Sequence, residues 1–419
     1  MLQPWSCYPS LSDERYARCV QRAVFDCCKW HLQVEDRHIL CRFPLVLTEA
    51  AWSQVTELAG ALAKETLAAE SELLQRVDLH ERLGFPKALR SALRQITKVG
   101  PTPGSVRVMR FDFHWTDQGW GISEANTDAA GGFIEASGVT RLMAEEYPDC
   151  QPTGDPAGVL SQAIHGSIGP NKVVGLMHMT IYSEDRQVML YLARRLSECG
   201  AIPCLFSPNQ LHWSSGRATI ETDWHRGEME LVIRFFPAEW LPRLPPETGW
   251  EHFLAGGLTS ACNPAYAVVT QSKRFPLVWD ELATPLPTWR SLLPPTCSPS
   301  DVADAEDGTW IFKPALGHEG ANVAISGVTA PAVWQSIRQQ VCRDPCAWTA
   351  QRRFDTLALP TPDGPMYPCL GVYVINGQVA GAYGRLAHRP LTDDRSREVV
   401  VLVTKSTPPI GTNIGGALL

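Results

Sequence analysis

One short stretch of the chain, residues 105–128, concentrates side chains that could bind a metal ion and a phosphate. It contains four such residues: Arg110, Asp112, Glu124 and Asn126. Polar and apolar side chains alternate with period two over residues 106–115, which predicts a β-strand with Arg110 and Asp112 on one face. A turn signal at residues 116–119 precedes a second strand that carries Glu124 and Asn126. The pattern predicts a β-hairpin.

The register of this hairpin decides whether its two carboxylates meet. A five-residue loop that pairs Trp115 with Gly121 places the carboxylates opposite each other and Arg110 opposite Asn126, whereas a four-residue loop sends the carboxylates to opposite faces. Opposed like charges cost free energy, and a hard cation would relieve this because Mg²⁺ prefers oxygen ligands. The first register therefore predicts a magnesium site, with the guanidinium of Arg110 beside it to hold a phosphate oxygen. The same residues also fit an ordinary solvated hairpin face.

Two lysines form a second group of candidates. In residues 310–323 a short strand leads to Lys313, and a loop with Gly317 and Gly320 follows. Such a loop can bring backbone N–H groups close to phosphates, although the Walker A pattern is absent. Lys273, in QSKRFPLVW, precedes a predicted helix. An ordinary glycine turn with a surface lysine, and a solvated lysine at a helix start, remain alternatives.

Apolar periodicity predicts the elements that position these groups. Residues 11–98 are mainly helical in pattern, with Ala, Leu and Glu at helical spacing over 52–75. Strands are predicted at 172–182, 201–206 and 231–236, with a helix at 185–199 between the first two. This alternation indicates a small Rossmann-like layer at about 165–260. Further strands are predicted at 309–315 and 368–385.

Composition excludes several classes of protein. The 419 residues include 37 Lys and Arg against 44 Asp and Glu, so the net charge of −7 lacks the basic footprint of a nucleic-acid binder. The 13 cysteines are scattered without a C-x-x-C pair, which favours free thiols in a reducing compartment. No signal-peptide pattern and no apolar run of about 18 residues occurs, so we expect a cytoplasmic protein that does not enter a membrane. No pattern indicates an oligomeric state.

Several motifs together resemble the glutathionylspermidine synthase family, a circularly permuted branch of the ATP-grasp ligases. The matching motifs are, in chain order, CRFPLVLTEAAW, RFDF, EANTD, RFFPAEWLPRL, NPAYAVVTQSKRFPLVW, IFKPALGHEGANV, AQRRFDTLALP and YPCLGVYVINGQVAGAYGRLAHRPLTDD. The resemblance implies a mixed α/β (α+β) ATP-grasp fold in three parts. These are a helical region with the metal-binding hairpin at 1–164, a Rossmann-like pre-ATP-grasp substrate domain at 165–260, and a nucleotide-binding lobe with closing strands at 261–419.

The resemblance also implies a role for each matching residue. The magnesium ligands would be Asp112, Glu124 and Asn126. The residues that bind the nucleotide would be Lys273, Lys313, Gly317, Gly320 and Gln351. Arg110 would lie near the transferred phosphoryl group, Arg385 near the reacting carboxyl group, and Glu239 where the family can hold a cationic amine.

The implied reaction joins a carboxylate to an amine. It uses ATP and two Mg²⁺ ions and passes through an acyl phosphate. Two departures from the family leave the identities of the carboxylate and amine substrates open. The carboxylate could belong to a small molecule or to a peptide. Residues 129–132 are Ala-Ala-Gly-Gly where the family has hydroxyls, and His318 replaces the arginine of its loop. The alternatives are a catalytically inactive ATP-binding scaffold and a metal-dependent phosphohydrolase. An inactive relative would be expected to lose one of the acidic residues, and all are present.

Overall fold

The computed structural model describes residues 3–34, 37–99, 105–223, 225–302, 308–317, 323–393 and 395–405. The architecture is mixed α/β, with several separate sheets, and this part of the predicted fold class is confirmed. Circular permutation and the division into three parts stay predictions. Two residues of the predicted phosphate loop, His318 and Gly320, lie outside the described residues.

The first hundred residues are mainly helical, as predicted. The three long helices are Asp13–Cys27, Glu49–Gln75 and Lys87–Val99. The second begins at Thr48, whose side chain accepts a hydrogen bond from the backbone N–H of Ala51, a normal helix N-cap. Its buried stripe includes Val55 and Leu62, which belong to the largest apolar cluster of the protein.

The central antiparallel sheet carries the predicted hairpin. Its strands, in spatial order, are Arg397–Val399, Gln378–Ala387, Gly364–Ile375, Val108–Thr116 and Gly119–Asn126, with Leu359–Thr361 paired to the side of Gly364–Ile375. One face packs into the same apolar cluster as the helix Glu49–Gln75, through Phe111 and Phe113. The alternation therefore leaves Arg110 and Asp112 on the opposite face.

A second sheet is entirely parallel. Its strands, in spatial order, are Ser260–Cys262, Leu231–Phe235, Val173–His178 and Ile202–Phe206. The helix Ser183–Glu198 connects two of them, so the predicted alternation of strands with a helix is confirmed. Residues 231–235 form an almost continuous apolar run, which is typical of a strand buried on both faces.

A third, four-stranded sheet carries Lys313 and Gln351. Its strands are Thr296–Cys297, Trp348–Arg352, Trp310–Pro314 and Ala324–Ile325, and the helix Pro331–Arg343 packs on it. It has its own small apolar cluster, in which the rings of Phe312 and Trp334 stack with centroids 5.5 Å apart. The strand predicted at 309–315 is confirmed.

The remaining strands are Trp5–Cys7, Leu45–Leu47, Val401–Thr404 and Cys150–Pro152 in one sheet, Leu211–Ser214, Arg217–Glu221 and Arg226–Glu228 in another, and the pair Gln33–Val34 and Arg37–His38. The other helices are Thr140–Ala144, Pro156–Ile168, His252–Ala255, Val268–Gln271 and Pro287–Leu292, with a π-helix at Ile134–Val139 and 3₁₀ turns that include Ala238–Arg243 and Phe275–Glu281. All 13 cysteines are free thiols. Among the described residues, no helix combines the length and the apolar character needed to cross a membrane.

Candidate active site

The hairpin has the predicted pairing at its chemically important positions. Asp112 lies opposite Glu124, and Arg110 lies opposite Asn126. The predicted loop was wrong, because Trp115 pairs with Trp120 and the strands are joined by only two residues. A β-bulge at Ser123 adds the residue that the shorter loop removes, which restores the predicted register beyond it.

The bulge at Ser123 has a direct consequence for the site. A bulged residue is left out of the ladder, so its polar groups can bind elsewhere. The backbone carbonyl of Ser123 accepts a hydrogen bond from Nζ of Lys313 at 3.0 Å. Its hydroxyl lies 3.0 Å from Nε2 of His114, whose pKa is lowered to about 4 by burial. His114 is therefore neutral at physiological pH.

Asp112 and Arg110 form a buried ion pair on the strand Val108–Thr116. Nε and Nη2 of Arg110 donate to the two carboxylate oxygens of Asp112 at 2.8 and 2.9 Å. Burial opposes the charge on Arg110, but the Asp112 carboxylate outweighs it and raises the pKa of the guanidinium well above its ordinary value. The pair needs Gly371 opposite it, because a Cβ there would lie 2.7 Å from Cδ of Arg110.

Glu124 carries its charge into the same site. Its Oε2 lies 3.2 Å from Nζ of Lys273. Burial alone would raise the pKa of Glu124, but Lys273, Lys313 and Arg110 lower it to about 2. The chain's own cations thus stabilise both opposed carboxylates. Part of the relief that the sequence analysis assigned to a hard cation therefore comes from Arg110 and Lys273, and the magnesium site stays a prediction.

Both predicted nucleotide lysines reach this point from distant segments. Nζ of Lys313 donates to Oε1 of Gln351 at 2.7 Å, and Nζ of Lys273 donates to the carbonyl of Gly317 at 3.0 Å. Burial lowers the pKa of Lys313 to about 8, with Glu124 acting against this change and Lys273 adding to it. Gln351 also donates to the Thr296 hydroxyl at 3.3 Å.

These side chains line one cleft between the hairpin and the third sheet. Its polar lining includes Glu124, Lys273, Lys313 and Gln351. Its apolar wall is built from Phe275, Pro276, Trp289 and Leu293. The structure thus brings together, in this cleft, four of the eight residues that the sequence predicted for nucleotide and metal binding.

Arg385 lies on the same face of the central sheet, two strands from Asp112. It is opposite Cys369, and its Nη2 donates to the carbonyl of Asp393 at 2.5 Å. Burial acts against its charge, but Tyr383 and Cys369 help to raise its pKa. Glu239 lies in the 3₁₀ helix Ala238–Arg243, just after a strand of the parallel sheet. The roles of both residues stay predictions.

Two buried polar groups around the site were not among the residues predicted from the sequence. In the first, Lys29 bridges Glu135 and Glu398, and its Nζ lies 2.8 Å from Oε1 of Glu398. The pKa of Glu398 is raised to about 7, chiefly because the carboxyl group is buried. Glu398 lies opposite Arg385 on the neighbouring strand, so this group borders the site. No local signal marked Lys29, which is distant in sequence from both partners.

The second missed group holds the end of the hairpin. It consists of Thr127, Asp128, Arg234, Asn263 and Gln271, and we call it the hairpin clamp. Two signals were available. Asp128 ends the EANTD motif, and Arg234 is a charge inside the apolar run LVIRF, where a buried charge needs a partner.

Oxygen donors for a hard cation are present. Within the described ranges, no group of three or more His, Cys, Asp or Glu side chains could hold a metal ion. The predicted set instead combines two opposed carboxylates with the carboxamide of Asn126, whose Nδ2 lies 3.3 Å from Oδ2 of Asp112. Two carboxylates and an amide fit Mg²⁺, which keeps several of its ligands as water or phosphate oxygens.

Comparison with known proteins identifies the family. A family model described as glutathionylspermidine synthase pre-ATP-grasp matches residues 21–404. A glutathione synthetase-like effector from Globodera pallida has a similar fold, with a TM-score of 0.62, 12% identity, and coverage of 94% of this chain and 98% of that one. A protein described as a gamma-glutamylcysteine synthetase from Methylobacillus flagellatus has a TM-score of 0.41, 13% identity and coverage of 82% and 87%. A search of curated proteins found no match. From the family match, the chain belongs to the glutathionylspermidine synthase family.

Proposed function

We propose that the protein is an ATP-dependent ligase that forms an amide bond between a carboxylate and an amine. The observation that carries the proposal is the convergence, in one cleft, of Glu124 with Lys273 and Lys313, which come from three separate segments. Oxygen ligands beside two lysines are what a magnesium–nucleotide complex requires. Membership of a synthase family supports the same reaction class.

The charge balance of the site supports an anionic ligand. Four cationic side chains line this face and the cleft: Arg110, Lys273, Lys313 and Arg385. Among the described residues, Asp112 and Glu124 form ion pairs with Arg110 and Lys273, while Glu398 lies opposite Arg385 and is itself bound by Lys29. Because His114 is neutral, the described residues leave a positive surplus in a largely buried place, which favours a polyphosphate.

The side chains of the cleft wall favour a nucleotide over a bare phosphate, and because the cleft holds only about 20 Å³ of free volume here, a nucleotide would have to widen it. Phe275, Trp289 and Leu293 offer an apolar wall for a base, and the Gln351 carboxamide offers a polar edge. Lys273 and the Gly317 carbonyl connect this wall to the loop whose next residues are predicted to cover the phosphates. We therefore assign Lys273, Lys313, Gly317, Gly320 and Gln351 to ATP.

Asp112, Glu124 and Asn126 would hold magnesium. The ion, or two ions as in the family resemblance, would neutralise phosphate charge when bound. Arg110 and Arg385 would stabilise the negative charge that develops on the transferred phosphoryl group and on the reacting carboxyl group. Phosphoryl transfer requires mainly alignment and charge neutralisation, and the fixed pairs around Arg110 supply alignment.

The proposed reaction has two balanced steps. A substrate carboxylate oxygen attacks the γ-phosphorus of ATP, and ADP leaves, so that an acyl phosphate forms. The amine nitrogen then attacks the acyl carbon, phosphate leaves, and a proton is released. In this proposal the fold is a circularly permuted ATP-grasp fold, because the acidic groups precede the lysines in the chain.

The experiment is an ADP-release screen that crosses small acids and peptides with amines, followed by mass measurement of products. Glutathione and spermidine belong in the screen because the family bears their name. We expect ADP release that depends on both partners, and a product lighter by one water than their sum. Nucleotide binding without turnover would instead indicate an inactive scaffold. Phosphate release that needs no amine would indicate a phosphohydrolase.

A further inference from the structure

Of the five residues in the hairpin clamp, Gln271 alone is among the residues that line the cleft. Asn263 supplies its centre. Its Oδ1 accepts from the backbone N–H of Val108 at 2.7 Å. Its Nδ2 lies within hydrogen-bond distance of the carbonyls of Val108, Thr127 and Asp128, at 2.7, 2.9 and 2.8 Å. One carboxamide therefore ties the start of the first hairpin strand to the end of the second.

Gln271 completes the hold on the second strand. Its Oε1 accepts from the backbone N–H groups of Thr127 and Asp128, at 2.7 and 3.1 Å. These amides follow Asn126 directly, while Gln271 precedes Lys273 by two residues. The side chain also lines the cleft beside Glu124.

Asp128 anchors this assembly to the parallel sheet. Its carboxylate pairs with Arg234, and both side chains are completely buried. Its Oδ2 also accepts from the backbone N–H of Ala238 at 2.8 Å, and Arg234 donates to the carbonyl of Asn263 at 3.2 Å. A buried pair with this many additional hydrogen bonds has one well-defined geometry.

We propose that Gln271 and Asn263 are positioning residues, which hold Glu124 and Asn126 at a fixed separation from Lys273. The clamp thereby makes the acidic ligands and the first phosphate lysine one preorganised unit before any nucleotide binds. This inference rests on the proposed function for its chemical purpose. Its structural content, a rigid connection between residues 124–128 and 271–273, does not depend on that function.

The chain offers a matched control for Gln271. Gln187 is also buried, and its Oε1 also accepts from two consecutive backbone amides, those of Trp30 and His31, at 2.7 and 3.1 Å. It lies on the helix Ser183–Glu198, outside the cleft. Gln271→Met and Gln187→Met therefore remove the same kind of double acceptor, and Gln271→Glu keeps an acceptor in place.

The test measures calorimetric binding of a non-hydrolysable ATP analogue with and without Mg²⁺, and backbone hydrogen exchange of residues 124–128 in the free protein. We expect Gln271→Met to weaken binding with Mg²⁺ by about tenfold, the effect of losing buried hydrogen bonds. Binding without Mg²⁺ should change much less, and exchange at 124–128 should accelerate. Gln271→Glu should restore slow exchange, because its carboxylate still accepts from the two backbone amides, but its added negative charge in the cleft should keep nucleotide binding weak. Gln187→Met should leave both measurements unchanged.

Two results would overturn the inference. One is equal exchange at residues 124–128 in Gln271→Met and the parent protein. The other is a loss of magnesium-dependent binding in Gln187→Met as large as that in Gln271→Met. If the parent protein bound no nucleotide, the proposed function would fail, whereas the exchange measurement would still decide whether the clamp holds the hairpin.

Discussion

The acidic hairpin and the sheet that carries Lys313 face each other across the cleft, but the protein holds them in different ways. The hairpin is part of the central sheet, its apolar face lies in the main core, and the clamp fixes its end. The sheet with Lys313 has its own small core. Its polar links to the rest of the site include the bond from Lys313 to the Ser123 carbonyl.

The two regions also differ in how firmly their charges are set. The pKa of Glu124 is about 2, because the effect of nearby lysines and Arg110 exceeds that of burial, so this carboxylate stays charged at every physiological pH. The pKa of Lys313 is about 8, chiefly because of burial, so its charge changes just above neutrality. The comparison indicates a preorganised acidic half and a lysine half that a bound anion would complete.

The largest expected effect tests how much the buried Arg234–Asp128 pair of the clamp stabilises the protein. Arg234→Met would leave the buried carboxylate of Asp128 without its counter-ion, and we expect the free energy of unfolding to fall by about 3–5 kcal/mol. Urea unfolding measures this. As a control, Arg290→Met removes an exposed partner of Asp280 and should cost at most about 1 kcal/mol. Equal losses in the two variants would show that the clamp adds no special stability.

The next effect separates catalysis from folding in the acidic half. Asp112→Asn should lower the rate of ADP release by about 10²–10³-fold, typical of losing an electrostatic contribution to the transition state, while circular dichroism shows a folded protein. Arg110 can still donate to the Gly131 carbonyl and to the new amide oxygen. Asp117→Asn, in the exposed hairpin turn, is the control. ADP release by Asp112→Asn at the parental rate would contradict the magnesium assignment.

A smaller effect tests the lysine half by its pH dependence. A bound phosphate favours the charged form of Lys313, so its pKa is higher in the complex than the value of about 8 in the free protein. Binding then takes up a proton above that pH, and the Kd should rise by up to about tenfold per pH unit, whereas below it the Kd should not depend on this group. Calorimetry with the ATP analogue between pH 7 and 9 measures the slope.

Lys313→Arg is the matched variant for this titration. Its guanidinium stays charged throughout the range, so its Kd should depend less on pH than that of the parent protein. Parallel slopes for the two proteins would mean that Lys313 is not the group that titrates. The contrast between a fixed acidic half and a titratable lysine half would then be lost.

Local spacing in the sequence was enough to assign side chains to the two faces of the hairpin, but it left the register open between two loop lengths. Period-two alternation assigns faces to side chains, so Arg110 and Asp112 were correctly placed together on one face and the phenylalanines on the other. The pairing of Asp112 with Glu124 was also correct, although for the wrong loop. A turn that is one residue shorter and a bulge that adds one residue give the same pairing of Asp112 with Glu124 as a longer loop. The alternation of side chains in the second strand could not distinguish these two arrangements.

The sequence by itself determined residue types, strand faces and, through family motifs, the set of candidate ligands. The tertiary structure decided which of these groups meet. Lys313 binds the carbonyl of Ser123 across 190 residues of chain, and Asn263 binds Asp128 across 135. Such contacts depend on how distant segments bury their apolar surfaces and satisfy their polar groups together. Local periodicity reports only what one segment does alone.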